Sequence, residues 1–191
     1  MKTIYFLTFT FMMCFSQIAK SDVKLNLESN IPTYDTININ TAPVGSMSFY
    51  DAAIKVQTSE NSKLYLTIGY LQISKLAALT ATTTYLLTSS NPYFGFDYYF
   101  SKGFLSLGVY YSAYVQGNYS QSGSGSEVWS GSAGYIKTSF HKKVGESFNL
   151  NLSLAYYAAS YTAKTATPAI SSATNFNQSV FSPLIGFDYT F

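Results

Sequence analysis

The residues able to do chemistry in this chain are few. His141 is its one histidine, and Lys142, Lys143, Gly145 and Glu146 follow it closely. That surrounding composition predicts a turn with the imidazole in water. Asp97 and Asp188 each stand three residues before a phenylalanine, Phe100 and Phe191, and Lys137 stands at the same offset before Phe140. Paired carboxylates can share acid and base work. A lysine at the same height instead points to a network of ion pairs, because buried charge is costly unless paired. Gly123-Ser124-Gly125-Ser126 has neither the lysine nor the strand-to-helix setting of a phosphate cradle. No cofactor or metal site is expected.

The elements that must hold these groups are legible from an internal echo. Asn91 to Phe100 reads N-P-Y-F-G-F-D-Y-Y-F and Ser182 to Phe191 reads S-P-L-I-G-F-D-Y-T-F, identical at six of ten positions. In both, large apolar residues alternate with small or polar ones, which is the period of a strand with one apolar face. Six further stretches alternate in the same way: Val23–Ile31, Met47–Val56, Leu64–Tyr70, Leu105–Val115, Val128–Phe140 and Phe148–Tyr157. The fifth strand in chain order, beginning at Leu105, is expected to set Tyr111, Ala113 and Val115 on its apolar face. Its other face then carries Tyr110 and Tyr114.

Between these strands, long polar connections alternate with short turns. The long ones are Pro32–Gly45, Ser74–Ser90, Gly117–Ser126 and Thr162–Gln178, all rich in Ser, Thr, Asn or Gly. Such alternation is typical of transmembrane barrels, with brief periplasmic turns and longer extracellular loops. His141 then falls at the periplasmic end, away from the outer leaflet or rim where lipid- and peptide-cleaving barrels place a catalytic histidine.

Composition fits a wall that meets something other than water. Aromatic residues make up 18% of the chain and charged residues 10%, well below the usual quarter. Residues 1–21 have the form of a secretory leader. Lys2 precedes an apolar core from Ile4 to Phe15, and Ala19-Lys20-Ser21 offers a cleavage site before Asp22. That core is too short to span a bilayer as a helix, which takes about 20 residues. Cleavage removes Cys14, the one cysteine, and with it disulfide and thiolate chemistry. The mature portion, 22–191, keeps nine lysines against nine acids, a balance that argues against nucleic acid as a partner.

Charge tests the register. Lys24, Glu28, Asp51, Lys55, Asp97, Lys137 and Asp188 all fall on the phase opposite the apolar faces. A lysine at the lipid-facing midplane costs about 2–4 kcal/mol, so a bilayer enforces this sorting. A soluble eight-stranded barrel would reverse it, with an apolar cavity and a charged exterior. Aromatics at strand ends (Phe100, Phe140, Phe148, Tyr189 and Phe191) read as an interfacial girdle. The fold class expected is therefore all-β, an eight-stranded antiparallel up-and-down transmembrane barrel. Tyr93, Tyr99, Tyr110, Tyr114 and Tyr157, interleaved with small residues, fill an interior of this size and argue against a wide aqueous pore.

The leader, the eight amphipathic strands and the terminal Phe187-Tyr189-Phe191 row resemble the small outer-membrane β-barrels of Gram-negative bacteria, the OmpX/OmpA-barrel class. The resemblance implies outer-membrane location, surrounding lipid and lipopolysaccharide, and reading of Phe187, Tyr189 and Phe191 by the barrel-assembly machinery. It implies a shape rather than a chemistry. Two functions stay open. One is a non-enzymatic barrel whose four polar loops meet an extracellular ligand or support the envelope. The other is a narrow, OmpW-like channel for small or hydrophobic solutes. An enzyme acting on lipid ranks behind both.

Overall fold

A computed structural model describes residues 22–30, 34–35, 45–78, 84–100, 103–123, 125–166 and 176–191. The proposed leader, 1–21, lies outside them. The strands are β1 (Val23–Asn30), β2 (Tyr34–Asp35), β3 (Gly45–Gln57), β4 (Leu64–Ala78), β5 (Thr84–Tyr99), β6 (Leu105–Gln121), β7 (Gly125–Lys143), β8 (Phe148–Ala166) and β9 (Phe176–Thr190). Consecutive strands from β2 to β9 pair antiparallel, and β1 closes the ring by pairing with both β3 and β9. The two-residue β2 only extends the upper end of β3, at Ser46 and Gly45. The result is an eight-stranded up-and-down barrel, which leaves no long sheet edge unpaired around the belt.

The alternation decides which side faces out. Ile54, Ile68, Phe96, Val109, Ile136, Leu152 and Ile185 are exposed on the outer wall. Lys55, Thr67, Asp97, Lys137, Asn151 and Asp188 are buried inside. Around the upper edge of this apolar belt stand Tyr50, Tyr70, Tyr111 and Tyr156, all exposed, and Tyr98, Phe100, Phe140, Tyr189 and Phe191 ring the lower edge. No helix among the described residues is long and apolar enough to cross a membrane. The strands make the crossing.

The echoed strands β5 and β9 share a reason for their glycine. A Cβ on Gly95 would run into the carbonyl oxygen of Val109, and one on Gly186 into that of Leu27. Both glycines therefore let the neighbouring strand approach closely, beside Asp97 and Asp188 respectively.

Two expectations need correction. The first concerns the long connections Ser74–Ser90, Gly117–Ser126 and Thr162–Gln178, whose described residues are mostly strand. β4 continues through Ser74 to Ala78, β5 starts at Thr84, β6 runs to Gln121 and β8 to Ala166. β5, β6, β7 and β8 hold 16, 17, 19 and 19 residues. A strand tilted across a bilayer needs about 9–11. The surplus stands above the tyrosine ring as a protruding wall. Ser, Thr and Asn read as loop by composition, yet cross-strand pairing satisfies their backbones equally well, as where the Ser74 and Thr88 hydroxyls lie 3.2 Å apart across β4 and β5.

The second concerns β6. Its pairing with β7 shifts between Ser112 and Val115, a bulge that places an extra residue on one strand and reverses the phase beyond it. Tyr114 consequently faces outward, 58% exposed, and Val115 is fully buried in the lumen. A further shift in β7–β8 pairing, at Ser130 and Gly131, turns Lys164 inward opposite Trp129.

Candidate functional site: the charged lumen

The seven predicted interior charges come from five strands. β1 supplies Lys24 and Glu28, β3 supplies Asp51 and Lys55, and β5, β7 and β9 supply Asp97, Lys137 and Asp188. All but Lys24 are buried. Lys55 Nζ lies 3.2 Å from Asp97 Oδ1, and Tyr110 donates to the same oxygen at 2.7 Å. Thr67 donates to Asp97 Oδ2. Lys137 pairs with Glu28 at 2.8 Å, pairs also with Asp51, and donates to Asn26 Oδ1 at 3.0 Å. Tyr93 and Tyr135 donate to Asp51, and Ser153 donates to Glu28. Asp97, Asp51, Glu28 and Lys137 thus each keep at least two partners, as a desolvated charge requires, and Lys55 keeps Asp97.

Asn26 joins this cluster to the lower end, where the short turns lie. Its oxygen accepts from Lys137, and its amide donates to Asp188 Oδ1 at 2.8 Å. Lys24 lies nearest the mouth, its ammonium 4.8 Å from the ring centre of Tyr65 and 4.2 Å from that of Tyr99. Both are cation–π distances.

His141 corrects the expectation of a solvated turn. β7 extends to Lys143, so His141 continues the inward row of Tyr135, Lys137 and Ser139 and is buried. Its Nε2 is 2.8 Å from Ser106 Oγ. Its Nδ1 is 2.8 Å from Asn151 Oδ1 and 3.1 Å from Asp188 Oδ2. The Tyr99 ring packs on the imidazole at 5.0 Å between centres.

Ser106, His141 and Asp188 have the connectivity of a nucleophilic triad. They lack access, however. Ser106 has 0% exposure, and its hydroxyl is engaged by His141. Chemistry on a substrate requires the nucleophile to reach a reacting atom, so this geometry suits a polar brace across β6, β7, β8 and β9. The period-two signal for His141 was present, two residues past Ser139, but Lys142-Lys143 so close to Gly145 obscured it. Ser106, Asn26 and Asn151 fall on the inward phase by the same period and are buried, but their partners lie on other strands, which local spacing does not encode.

The upper half of the lumen is built differently. Phe49, Leu71, Ile73, Leu87, Val115, Val180 and Leu184 are buried there. Polar groups occur as neutral bridges: Tyr157 donates to Asn91 at 2.6 Å, and Ser89 and Tyr161 meet at Gln178 Oε1 at 2.7 and 3.0 Å. Near the top, Trp129 Nε1 donates to Glu127, and Lys164 lies 3.6 Å from the same carboxylate. Among the described residues no group of three or more His, Cys, Asp or Glu side chains is placed to hold a metal ion.

A closed ring of strands, an apolar belt between two aromatic girdles and a paired-charge lumen define the fold of a transmembrane β-barrel. No protein-family model matches the chain, and no curated protein matches it in sequence. Solved structures do. Ail, the attachment invasion locus protein of Yersinia pestis, is similar with a TM-score of 0.50 at 11% identity, over 90% of this chain and 97% of Ail. Neisserial surface protein A has the same TM-score of 0.50 at 12% identity, over 90% of this chain and 97% of its own. OmpT, an outer membrane protease of Escherichia coli, matches at a TM-score of 0.43 and 13% identity, over 90% and 96%.

Proposed function

We propose that the protein is a non-enzymatic barrel working from its outer surface, its extracellular wall and connections serving surface interaction or envelope integrity. The observation that carries this reading is the filled lumen. Lys55, Lys137, Tyr157, Tyr161, Phe49 and Leu184 are among its fully buried large side chains, spread over both halves. An interior occupied by its own side chains leaves the outside as the working surface. One structural neighbour is by name an attachment and invasion protein and another a surface protein. At this identity the likeness concerns fold.

The same reading takes 1–21 as a cleaved leader and the seven interior charges as structural. It takes Phe187, Tyr189 and Phe191 as the row the assembly machinery recognises, with Tyr189 and Phe191 exposed on the outer wall. Planar-bilayer recording of the refolded protein tests the reading. Electrical silence is expected, and discrete single-channel steps would transfer the case to the narrow channel. A serine-directed fluorophosphonate should leave Ser106 unlabelled, and stoichiometric labelling there would make the barrel an enzyme. Truncation at Phe191 should sharply lower the amount of heat-modifiable, folded protein recovered from outer membranes.

A further inference from the structure

The outer wall is not evenly filled around the ring. Strand register sets two adjacent outward rows across β9, β1, β3 and β4. The lower row is Phe187, Leu27, Ala52 and Tyr70, and the upper is Ile185, Ser29, Tyr50 and Gln72. Ala52 and Ser29 are the smallest members of their rows and are diagonal neighbours, so the wall dips between them. The larger side chains around them enclose a groove of about 480 Å³ with mostly apolar walls. Glu28 and Asp51 reach its floor, but both carboxylates turn inward to Lys137.

The groove has an apolar end and a polar one. Its lower row continues the belt of Ile54 and Ile68, so hydrocarbon is the medium that reaches it. A lipid chain entering it gains nothing from the hydrophobic effect, since it leaves one apolar medium for another. It gains packing. A void forfeits dispersion contacts, whereas a chain laid in the groove meets protein on several sides. The upper row brings the Ser29 and Tyr50 hydroxyls and the Gln72 amide to one end. All three can donate, and the acceptor that a lipid carries at the head of each chain is an ester or amide carbonyl.

The leaflet decides which lipid this is. With the long connections extracellular, as in the functional reading above, Tyr50 and Tyr70 stand in the outer leaflet, whose lipid around this class of barrel is lipopolysaccharide. We propose that the groove over Ala52 and Ser29 seats one acyl chain of a lipopolysaccharide, with Ser29, Tyr50 and Gln72 binding the carbonyl that joins it to the sugar. No charge takes part in this contact, so it holds the lipid without a bridging divalent cation. The proposal rests on the outward orientation of that reading and not on what the upper surface binds.

Native mass spectrometry tests it on the folded chain, extracted in detergent from outer membranes whose lipopolysaccharide is truncated to lipid A and its inner sugars. A chelator wash first strips lipid held only through divalent cations. One lipopolysaccharide per chain should survive the wash. Ala52→Phe, which fills the groove with its own ring, should abolish that retention, and Ser29→Ala/Gln72→Leu should weaken it. Val109→Phe, on the belt at β6 and outside the groove, should leave it intact. Heat-modifiable gel mobility establishes that each variant is folded. No retained lipid, a phospholipid or a second copy of the chain instead, or equal retention by Ala52→Phe would overturn the proposal. Protease cleavage of intact cells in the long connections reports the orientation separately. Cleavage without retained lipid removes the groove's ligand and keeps the surface reading, whereas cells resistant to cleavage remove both.

Discussion

The two halves of the lumen solve one problem by opposite means. Both must fill the inside of the same ring. The lower half, nearer the short turns, does so with Lys55, Lys137, Glu28, Asp51, Asp97 and Asp188, tied by Asn26, His141 and tyrosine hydroxyls. The upper half uses mainly apolar residues and neutral tyrosine bridges, with one ion pair, Glu127–Lys164, near its top. The difference shows where cohesion is vulnerable. A charged cluster depends on every member, because one missing partner strands a desolvated charge. Apolar packing degrades by increments that follow the volume lost.

The sharpest way to break the comparison is Lys137→Met. It leaves Glu28 and Asp51 facing each other without their shared cation, and a loss of about 3–5 kcal/mol is expected. Equilibrium urea unfolding in detergent or lipid vesicles would read it. Adding Glu28→Gln and Asp51→Asn should recover most of the loss. Failure of that rescue would mean that the lysine stem's packing, not its charge, matters.

The outer wall gives the next largest contrast. Leu152→Lys on the belt should cost about 2–4 kcal/mol in the same titration, whereas Ser160→Lys, above the tyrosines, should change stability by less than about 0.5 kcal/mol. Equal costs would place the membrane boundary higher than Tyr156 and Tyr111. In the upper lumen, Leu184→Ala should cost about 2–3 kcal/mol, the lower part of the range for such truncations. A loss as large as that of Lys137→Met would erase the distinction between the halves. The smallest effect belongs to Tyr157→Phe. It removes the donor to Asn91 and should cost about 1 kcal/mol, with the fold intact by gel mobility.

Lipid-facing residues were the most legible part. Phe96, Ile136 and Leu152 repeat at period two against Asp97, Lys137 and Asn151, and an apolar medium tolerates that pattern in one register alone. The candidate site was half legible. Its charges could be assigned to the inward phase, but their partners could not. Lys137 meets residues 109 and 86 positions away in the chain, and no local spacing encodes such a pairing. Tyr114 misled for a different reason. Nothing in Ser112 to Val115 announces the bulge, because the extra residue is defined only by the register in which β6 meets β7.

By itself, then, the order of amino acids determined a ring of strands with lipid outside and charge within. Alternation at period two is a local property, and the bilayer penalises every violation of it. Tertiary structure alone decided that His141 turns inward to Ser106 and Asp188, that Lys55 answers Asp97, and that the polar connections rise as wall. Those outcomes depend on strand register and barrel closure, which bring distant residues to one height only once the whole ring is formed.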